Sequence, residues 1–496
     1  MKEKLRRERE AARRQPYSLG WLRKYLGHHL YLSSFSRFHS DLAGDLNHAA
    51  TARNQKLNYR GPRGNAKTTI GTVGYTLWCI VEGREPFTLL LSEESQLSSG
   101  FVRTIKEELE SNEDLARDYP QACGVGSVWA SEHIVTRNGM CVMSRGAGGR
   151  IRGLKHAQYR PTLVILDDPN EKGDAFSPTT RTRKLDWLNK DVMSVGQTGA
   201  TNYVCYGTPL HSEAIVCVNS RSAMWRTRRY TSIVKWPTRM ELWDQWERIR
   251  TNLAEPNAEQ TALQFYDANH SEMDEGAEVL WAERESLYAL MELRATIGPA
   301  AFGTEKQDEE GTAGATEFPP TYFEQLHWFD ESPDYVVCTV IALDPSKGSD
   351  SQTGDYQAFV ILQLTRDGTL WVEAEMRREQ PQEMAWTAID LCRRFAPVES
   401  FIVETNSGMG LILPEFERAM AEAKTLFPLD GINHNDPKTL RIRRIGSYLA
   451  RGQIRFRNTP GTRMLVDQLR NYPTDRYDDG PDALATGIRR LEQLRA

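Results

Sequence analysis

The sequence predicts an α/β protein built from two modules in series, and three observations predict it. Short apolar strands alternate with longer helical patterns in two stretches, one from about residue 55 to about 215 and one from Val336 onward. At 496 residues the chain is longer than one ordinary core accommodates. The segment DEEGTAGATEFPP, residues 308–320, has the small-residue, Gly- and Pro-bearing composition of a linker.

The elements follow in order. Residues 1–45 open with MKEKLRREREAARR, seven basic and three acidic residues in the first 14, and are expected to form a basic helical segment. In the first module, 46–307, the strands are TLLLS, TLVILDD and NYVCYGT, with FVRTIKEELE as a helix between the first two. Residues 220–307, rich in Trp, Arg and Glu as in ELWDQWERIRTNLAE, read as a helical subdomain of that module. A linker is placed at 308–325. The second module, 326–496, starts with VVCTVIALDPS and continues through AFVILQLT, LWVEAEMR and SFIVET.

Composition narrows the class. Hydrophobic residues at 40% and charged residues at 26% are those of a folded globular chain. Apolar runs such as TLLL and LVIL are far shorter than the roughly 20 residues a membrane helix needs. The seven cysteines, 79, 123, 141, 205, 217, 338 and 392, form no CxxC pair, which predicts reduced core thiols and a cytoplasmic setting. The net charge of −5 carries no global sign of nucleic-acid binding, but local patches do. From Arg441 to Arg463 there are seven arginines and no acid, and Arg441, Arg443, Arg444 and Arg451 are expected to contact phosphates.

Gly61 to Thr68 reads GPRGNAKT, the pattern of a phosphate-binding P-loop except that Ala66 replaces the last glycine. Backbone N–H groups of Gly61, Arg63, Gly64, Asn65 and Ala66, followed by Lys67, Thr68 and Thr69, would wrap a nucleoside triphosphate, with Thr68 on Mg²⁺. Alanine is tolerated there as long as the position keeps φ negative and Gly64 makes the turn. About 100 residues further on, TLVILDDP is a doubly buried strand that ends in two carboxylates. Asp167 suits Mg²⁺ and Asp168 suits the attacking water. Together these predict a RecA/ASCE-like P-loop ATPase module using ATP and Mg²⁺. Arg152, in SRGAGGRIRGLKH, is a candidate arginine finger, and Thr208, in YVCYGTPLH, a candidate coupling residue.

The second module carries acids at element ends. Asp344 ends ALD, Glu404 ends FIVE, and Asp478, Asp479 and Asp482 stand in YDDGPDALA at the start of a predicted helix. Clustered carboxylates repel one another, a cost that a divalent cation removes, and hard oxygen donors suit Mg²⁺ or Mn²⁺. Asp344, Glu404 and Asp478 are the candidate catalytic set, with Asp479 and Asp482 as further ligands, in an RNase H-like nuclease using two metals. Asp350 and Asp355 are additional candidates. The same acids also suit an RNase H-fold recombinase or transposase, and a non-catalytic DNA-binding, capsid-associated protein is the alternative from outside enzymology.

The order of these motifs, from the P-loop through the Asp-Asp strand, GTPLH, ALDPSKG, FIVETN and YDDGPDAL, resembles the large terminase subunit of tailed bacteriophages over nearly the whole chain. The resemblance implies a motor that drives double-stranded DNA into a capsid and a nuclease that cuts it. It also implies a portal protein, a small terminase subunit and a homo-oligomeric ring as partners, in the host bacterial cytoplasm and at the portal vertex, with no membrane. Asp168 stands where the family usually has glutamate.

Overall fold

The computed structural model describes residues 15–30, 34–311, 316–324, 326–345, 356–405 and 412–495, with only the backbone of Lys172. The run 1–14 and the candidates Asp350 and Asp355 lie outside the described residues. The chain divides into two compact units, one of residues 1–236, 277–290 and 303–314 and the other of residues 237–276, 291–302 and 315–496.

The first unit is built on an eight-stranded sheet of β1 (Lys56–Arg60), β2 (Phe87–Ser92), β3 (Val128–Trp129), β4 (His133–Val135), β5 (Cys141–Gly146), β6 (Leu163–Asp167), β7 (Asn202–Gly207) and β8 (Arg226–Arg229). Their order is β3-β4-β5-β2-β6-β7-β1-β8, parallel from β5 to β8 with an antiparallel β3-β4-β5 edge. The strand before the phosphate loop, β1, is thus separated by β7 from the strand with the paired carboxylates, β6. That is the RecA/ASCE order the motifs predict. Leu163–Leu166 of β6 are fully buried on both faces, the reason four consecutive apolar residues form a strand here. A small antiparallel pair, β9 (Ile233–Lys235) and β10 (Glu278–Val279), belongs to the same unit.

The first 45 residues are more than a basic arm. Helix Leu19–Leu26, capped by the Ser18 hydroxyl, buries Trp21, Leu22, Tyr25 and Leu26 in the core of the first unit, an apolar stripe that offsets the cost of ordering it.

The second unit is built on β11 (His327–Phe329), β12 (Val336–Asp344), β13 (Gln357–Thr365), β14 (Leu370–Arg377), β15 (Ser400–Glu404), β16 (Leu429–Ile432) and β17 (Ile454–Arg457), ordered β11-β17-β14-β13-β12-β15-β16. Strands β12, β13 and β14 form an antiparallel meander, and β15 and β16 add in parallel beside β12. This is an RNase H-like sheet. Alternate residues of β12 serve two cores: Val340 with Leu465, Leu484 and Ile488 on one face, Ile341 and Leu343 with Met384, Ala388 and Ile389 on the other. Helix Asp479–Arg495 approaches the sheet through Gly487, where a Cβ would stand 2.3 Å from a Leu362 methyl.

Two expected boundaries differ. The first residues of the expected linker, 308–311, are pinned inside the first unit. Arg60, fully buried, donates to Asp308 Oδ1 at 2.7 Å and pairs with Glu310, while Ser212 N–H donates to Gly311 O at 2.7 Å. A buried guanidinium needs carboxylate partners, and this segment supplies them. On the other side, Phe318 and Phe323 are buried in the second core. The expected helical subdomain is also shared out: residues 237–276 and 291–302 belong to the second unit. Glu247 accepts from Arg451 at 3.1 Å and Arg294 at 2.7 Å, and Arg495 donates to Ala254 O at 2.8 Å. All seven cysteines are buried free thiols. Among the described residues no helix is long and apolar enough to cross a membrane.

Candidate active sites

The phosphate loop, residues 61–67, leaves the end of β1, where Gly61 N–H donates to Gly207 O at 3.2 Å. It turns through two left-handed residues, Gly64 at φ 90° and Ala66 at φ 51°. The condition under which alanine would cost nothing, a negative φ, is therefore not met: the loop takes left-handed geometry at the sixth position as well. An alanine Cβ there costs roughly 1–2 kcal/mol. The cost is borne because the loop is fixed on every side. Lys67 Nζ donates to Gly61 O at 2.8 Å, Pro62 O at 3.3 Å and Thr208 Oγ1 at 3.4 Å. Arg63 N–H donates to Glu305 O at 3.1 Å, and Lys306 Nζ to Arg63 O at 2.8 Å. Burial lowers the His39 imidazole to about 4, so it is neutral; Nδ1 accepts Ser36 N–H and Nε2 donates to Asn65 O at 3.2 Å.

The helix after the loop begins with a widened turn, Thr68–Gly74, before Tyr75–Val81. The Tyr17 and Tyr206 hydroxyls donate to the carbonyls of Ile70 and Gly71, taking acceptors that an α-helical turn would use. The widening places Thr72 Oγ1 2.6 Å from Asp167 Oδ2. Burial and the neighbouring Asp168 push Asp167 up to about 6, while Thr72, Thr68 and Lys67 hold it down. Asp168 takes φ 45°, a second strained non-glycine; its carboxylate accepts Thr208 N–H at 3.2 Å. Lys67, Asp167, Asp168 and Thr208 thus form one contiguous group. A buried carboxylate of raised pKa beside a second one and the Thr68 hydroxyl is a hard-oxygen set that fits Mg²⁺.

Arg152 is not gathered there. Its side chain is 70% exposed and its guanidinium pairs with Asp191. The Arg63 side chain is likewise exposed, 3.6 Å from a Glu305 carboxylate oxygen.

In the second unit, parallel pairing of Leu343 with Val403 sets Asp344 and Glu404 side by side at the ends of β12 and β15. The third acid to converge is Asp482: one oxygen each of Asp344, Glu404 and Asp482 lie within 4.8 Å of one another. Asp478, expected in the catalytic set, stands just before the helix and instead accepts from Lys438 Nζ at 2.8 Å. Lys438 Nζ is also 3.2 Å from Asp482 and 3.9 Å from Asp344. Burial above all pushes Asp344 well above the carboxylate range, with Asp482, Glu404 and Asp479 adding to it and Lys438 opposing. Burial and Asp482 raise Glu404 too, against Arg441 and Lys438. Among the described residues, Glu404 Oε2 is buried without a hydrogen-bond partner. Three converging carboxylates with an unsatisfied oxygen fit a divalent cation.

The expected phosphate-binding arginines are a correction. Arg441 is buried and grips Asp482 with both carboxylate oxygens at 2.7 Å. Arg443 pairs with Glu317, and Arg451, also largely buried, with Glu247. Only Arg444 of the four is exposed. The acid-free run is basic because its acids come from elsewhere in the chain, and each guanidinium that enters the core must meet one.

No protein-family model and no curated protein matches the sequence. Solved structures are similar to it. The large terminase of a thermophilic bacteriophage, in complex with ADP, aligns over 91% of this chain and 98% of its own, at 10% identity and a TM-score of 0.41. The large terminase of bacteriophage HK97 covers 92% of this chain and 95% of its own at 11% identity and TM-score 0.33. The large terminase nuclease from thermophilic phage G20c with bound magnesium covers 35% of this chain and 97% of its own at 15% identity and TM-score 0.26.

Three side chains of these sites escape sequence reading. Thr72 had a signal, since it lies four residues after Thr68 and shares its helix face. Lys438 also had one, as a lone lysine at the start of an acid-free helix. Lys306, brought to the loop from about 240 residues away, had none.

Proposed function

We propose that the chain is a DNA-packaging enzyme, an ATP-hydrolysing motor on double-stranded DNA joined to a divalent-cation-dependent DNA endonuclease. The observation that carries the proposal is the pairing in one chain of two separate sites. One is a phosphate loop abutting Asp167 in a RecA/ASCE-ordered sheet; the other is the Asp344, Glu404 and Asp482 cluster at the end of an RNase H-like sheet.

In the first site, loop N–H groups and Lys67 bind the triphosphate, with Thr68 and Asp167 on the side where Mg²⁺ would be held. Lys67 leaves the Gly61 and Pro62 carbonyls for the phosphates. Asp168 orients the attacking water, and its bond to Thr208 N–H ties that carboxylate to the strand end after β7, the route by which hydrolysis reaches the rest of the unit. In the second site Asp344, Glu404 and Asp482 would hold Mg²⁺ or Mn²⁺, which supplies a Lewis acid for phosphodiester cleavage. Lys438 and Arg441 orient the acids and limit their mutual repulsion. Cutting by two metals, passage of DNA through a portal, a small subunit as partner, and a ring of copies at the capsid belong to the same proposal and rest on the motif order.

The test is a pair of variants of the full chain. Lys67→Ala is expected to lower DNA-stimulated ATP hydrolysis about 100-fold or more while Mn²⁺-dependent cutting survives. Asp344→Ala is expected to do the reverse. If both variants lose or keep both activities together, the two-site reading fails; joining of DNA ends into a target by the purified protein would favour a transposase instead.

A further inference from the structure

Outside both active sites, two imidazoles and one carboxylate of the first unit turn toward a single point. Helix Leu19–Leu26 runs into a tight turn, Gly27–His29, closed by Leu30 N–H donating to Gly27 O at 3.1 Å. A longer helix, Ser95–Ser111, buries Glu108 together with Val102, Ile105 and Leu109, and these three apolar residues share a core with Trp21, Leu22, Tyr25 and Leu26. Nε2 of His28 and Nε2 of His29 each lie 2.8 Å from Glu108 Oε1, and one donor atom from each of the three residues falls within 4.8 Å of the other two.

The carboxylate is held from behind. Asn112 Nδ2 donates to Glu108 Oε2 at 2.6 Å and to Tyr25 O at 2.7 Å, while Asn112 Oδ1 accepts Leu115 N–H at 3.0 Å. One oxygen is therefore fixed by an amide and the other is aimed at the histidines, the kind of outer support that orients a metal-binding carboxylate. A tetrahedral shell with bonds of about 2.0–2.1 Å spaces its donor atoms roughly 3.3 Å apart, so an ion enters once each 2.8 Å contact opens by about 0.5 Å. The His28 side chain is 55% exposed and can swing to admit it, whereas Glu108 is 7% exposed and stays in place. Two imidazole nitrogens with one carboxylate oxygen suit Zn²⁺, in contrast to the all-oxygen sets of the two active sites, which suit Mg²⁺.

We propose that His28, His29 and Glu108 form a Zn²⁺ site, with water from solvent in the fourth position, and that the ion clamps the turn after helix Leu19–Leu26 to helix Ser95–Ser111. The clamp steadies a segment that braces the phosphate site, because the Tyr17 hydroxyl just ahead of helix Leu19–Leu26 donates to the Ile70 carbonyl in the widened turn after the loop. It requires neither activity proposed above.

The experiment uses the full chain without a polyhistidine tag, stripped of metal, and titrated with Zn²⁺ and separately with Co²⁺ under excess Mg²⁺, which occupies the oxygen sites. The parent is expected to bind one equivalent of Zn²⁺, to raise its apparent unfolding midpoint by a few degrees on doing so, and to give the visible absorption of nitrogen-bound tetrahedral Co²⁺. His28→Ala, at an exposed position, and Glu108→Gln, which keeps the size of the side chain, are each expected to weaken that binding at least about 10-fold and to lose the shift. Both are expected to unfold near the metal-free parent when no metal is added. A parent with no such equivalent and no Co²⁺ band would overturn the proposal whatever the variants do. Zn²⁺ held equally well by both variants would place it elsewhere, and Zn²⁺ bound with no change in the midpoint would remove the clamp; either result overturns the proposal.

Discussion

The two sites handle unfavourable energy in different ways. Around the phosphate loop the cost is conformational: Ala66 and Asp168 are both held in left-handed backbone, and a mesh of bonds from Lys67, Lys306 and His39 keeps the loop in place. At the carboxylate cluster the backbone is ordinary strand and helix, and the cost is electrostatic. Asp344, Glu404 and Asp482 crowd together and Lys438 and Arg441 hold them there. A loop that wraps phosphate must shape its backbone to the ligand, because its N–H groups are the donors. A cation site instead shapes its side chains, and repulsion is the price of an affinity that appears only with the ion. Substitutions should therefore act in opposite ways at the two sites.

The largest effect is expected from Arg441→Ala. It leaves Asp482 buried without its guanidinium, and removing one partner of such a pair costs about 3–5 kcal/mol. Denaturant unfolding of the full chain, parent against variant, measures it. A loss under about 1 kcal/mol would mean that solvent reaches the cluster and that charge does not dominate there.

Next comes Asp167→Asn. Asp167 has its folded-state pKa raised, to about 6 from an ordinary 3.8, so the folded chain holds this proton more tightly than the unfolded one. Its contribution is therefore most favourable below about pH 4 and declines as pH rises through about 6. The asparagine variant is expected to lose that decline and, in the absence of added metal, to be more stable than the parent at pH 7 by about 1–3 kcal/mol, while ATP hydrolysis is lost. Parallel stability curves between about pH 4 and 7 for the two proteins would show that Asp167 is not raised.

The smallest effect separates strain from charge most cleanly. Ala66→Gly restores the residue that left-handed backbone favours and is expected to stabilise the first unit by about 1 kcal/mol with ATP hydrolysis retained. A destabilised variant would place the extra freedom of glycine in the unfolded chain above the relief of strain.

Much of this was legible because it depends on local order. A buried parallel strand needs an uninterrupted apolar run, so TLVILDD reveals both β6 and the carboxylates at its end, and ALD and FIVE do the same for β12 and β15. The spacing from loop to strand to strand predicted two modules and their chemistry.

What stayed hidden depends on partners distant in sequence. Asp478 and Asp482 are four residues apart and equally acidic; packing of Gly480 and Gly487 against Met376 and Leu362 sets the helix phase that turns Asp482 to the cluster. Arg443 and Arg451 looked free because Glu317 and Glu247 lie 126 and 204 residues away. The backbone sign at Ala66 could not be read from GPRGNAKT, since it is imposed by contacts from Lys306, His39 and Thr208. Residue types and their order thus announced the fold class and the two candidate sites, whereas which side chains share a site, and which cations are already taken, came from folding, because charge pairing and helix phase are set through space.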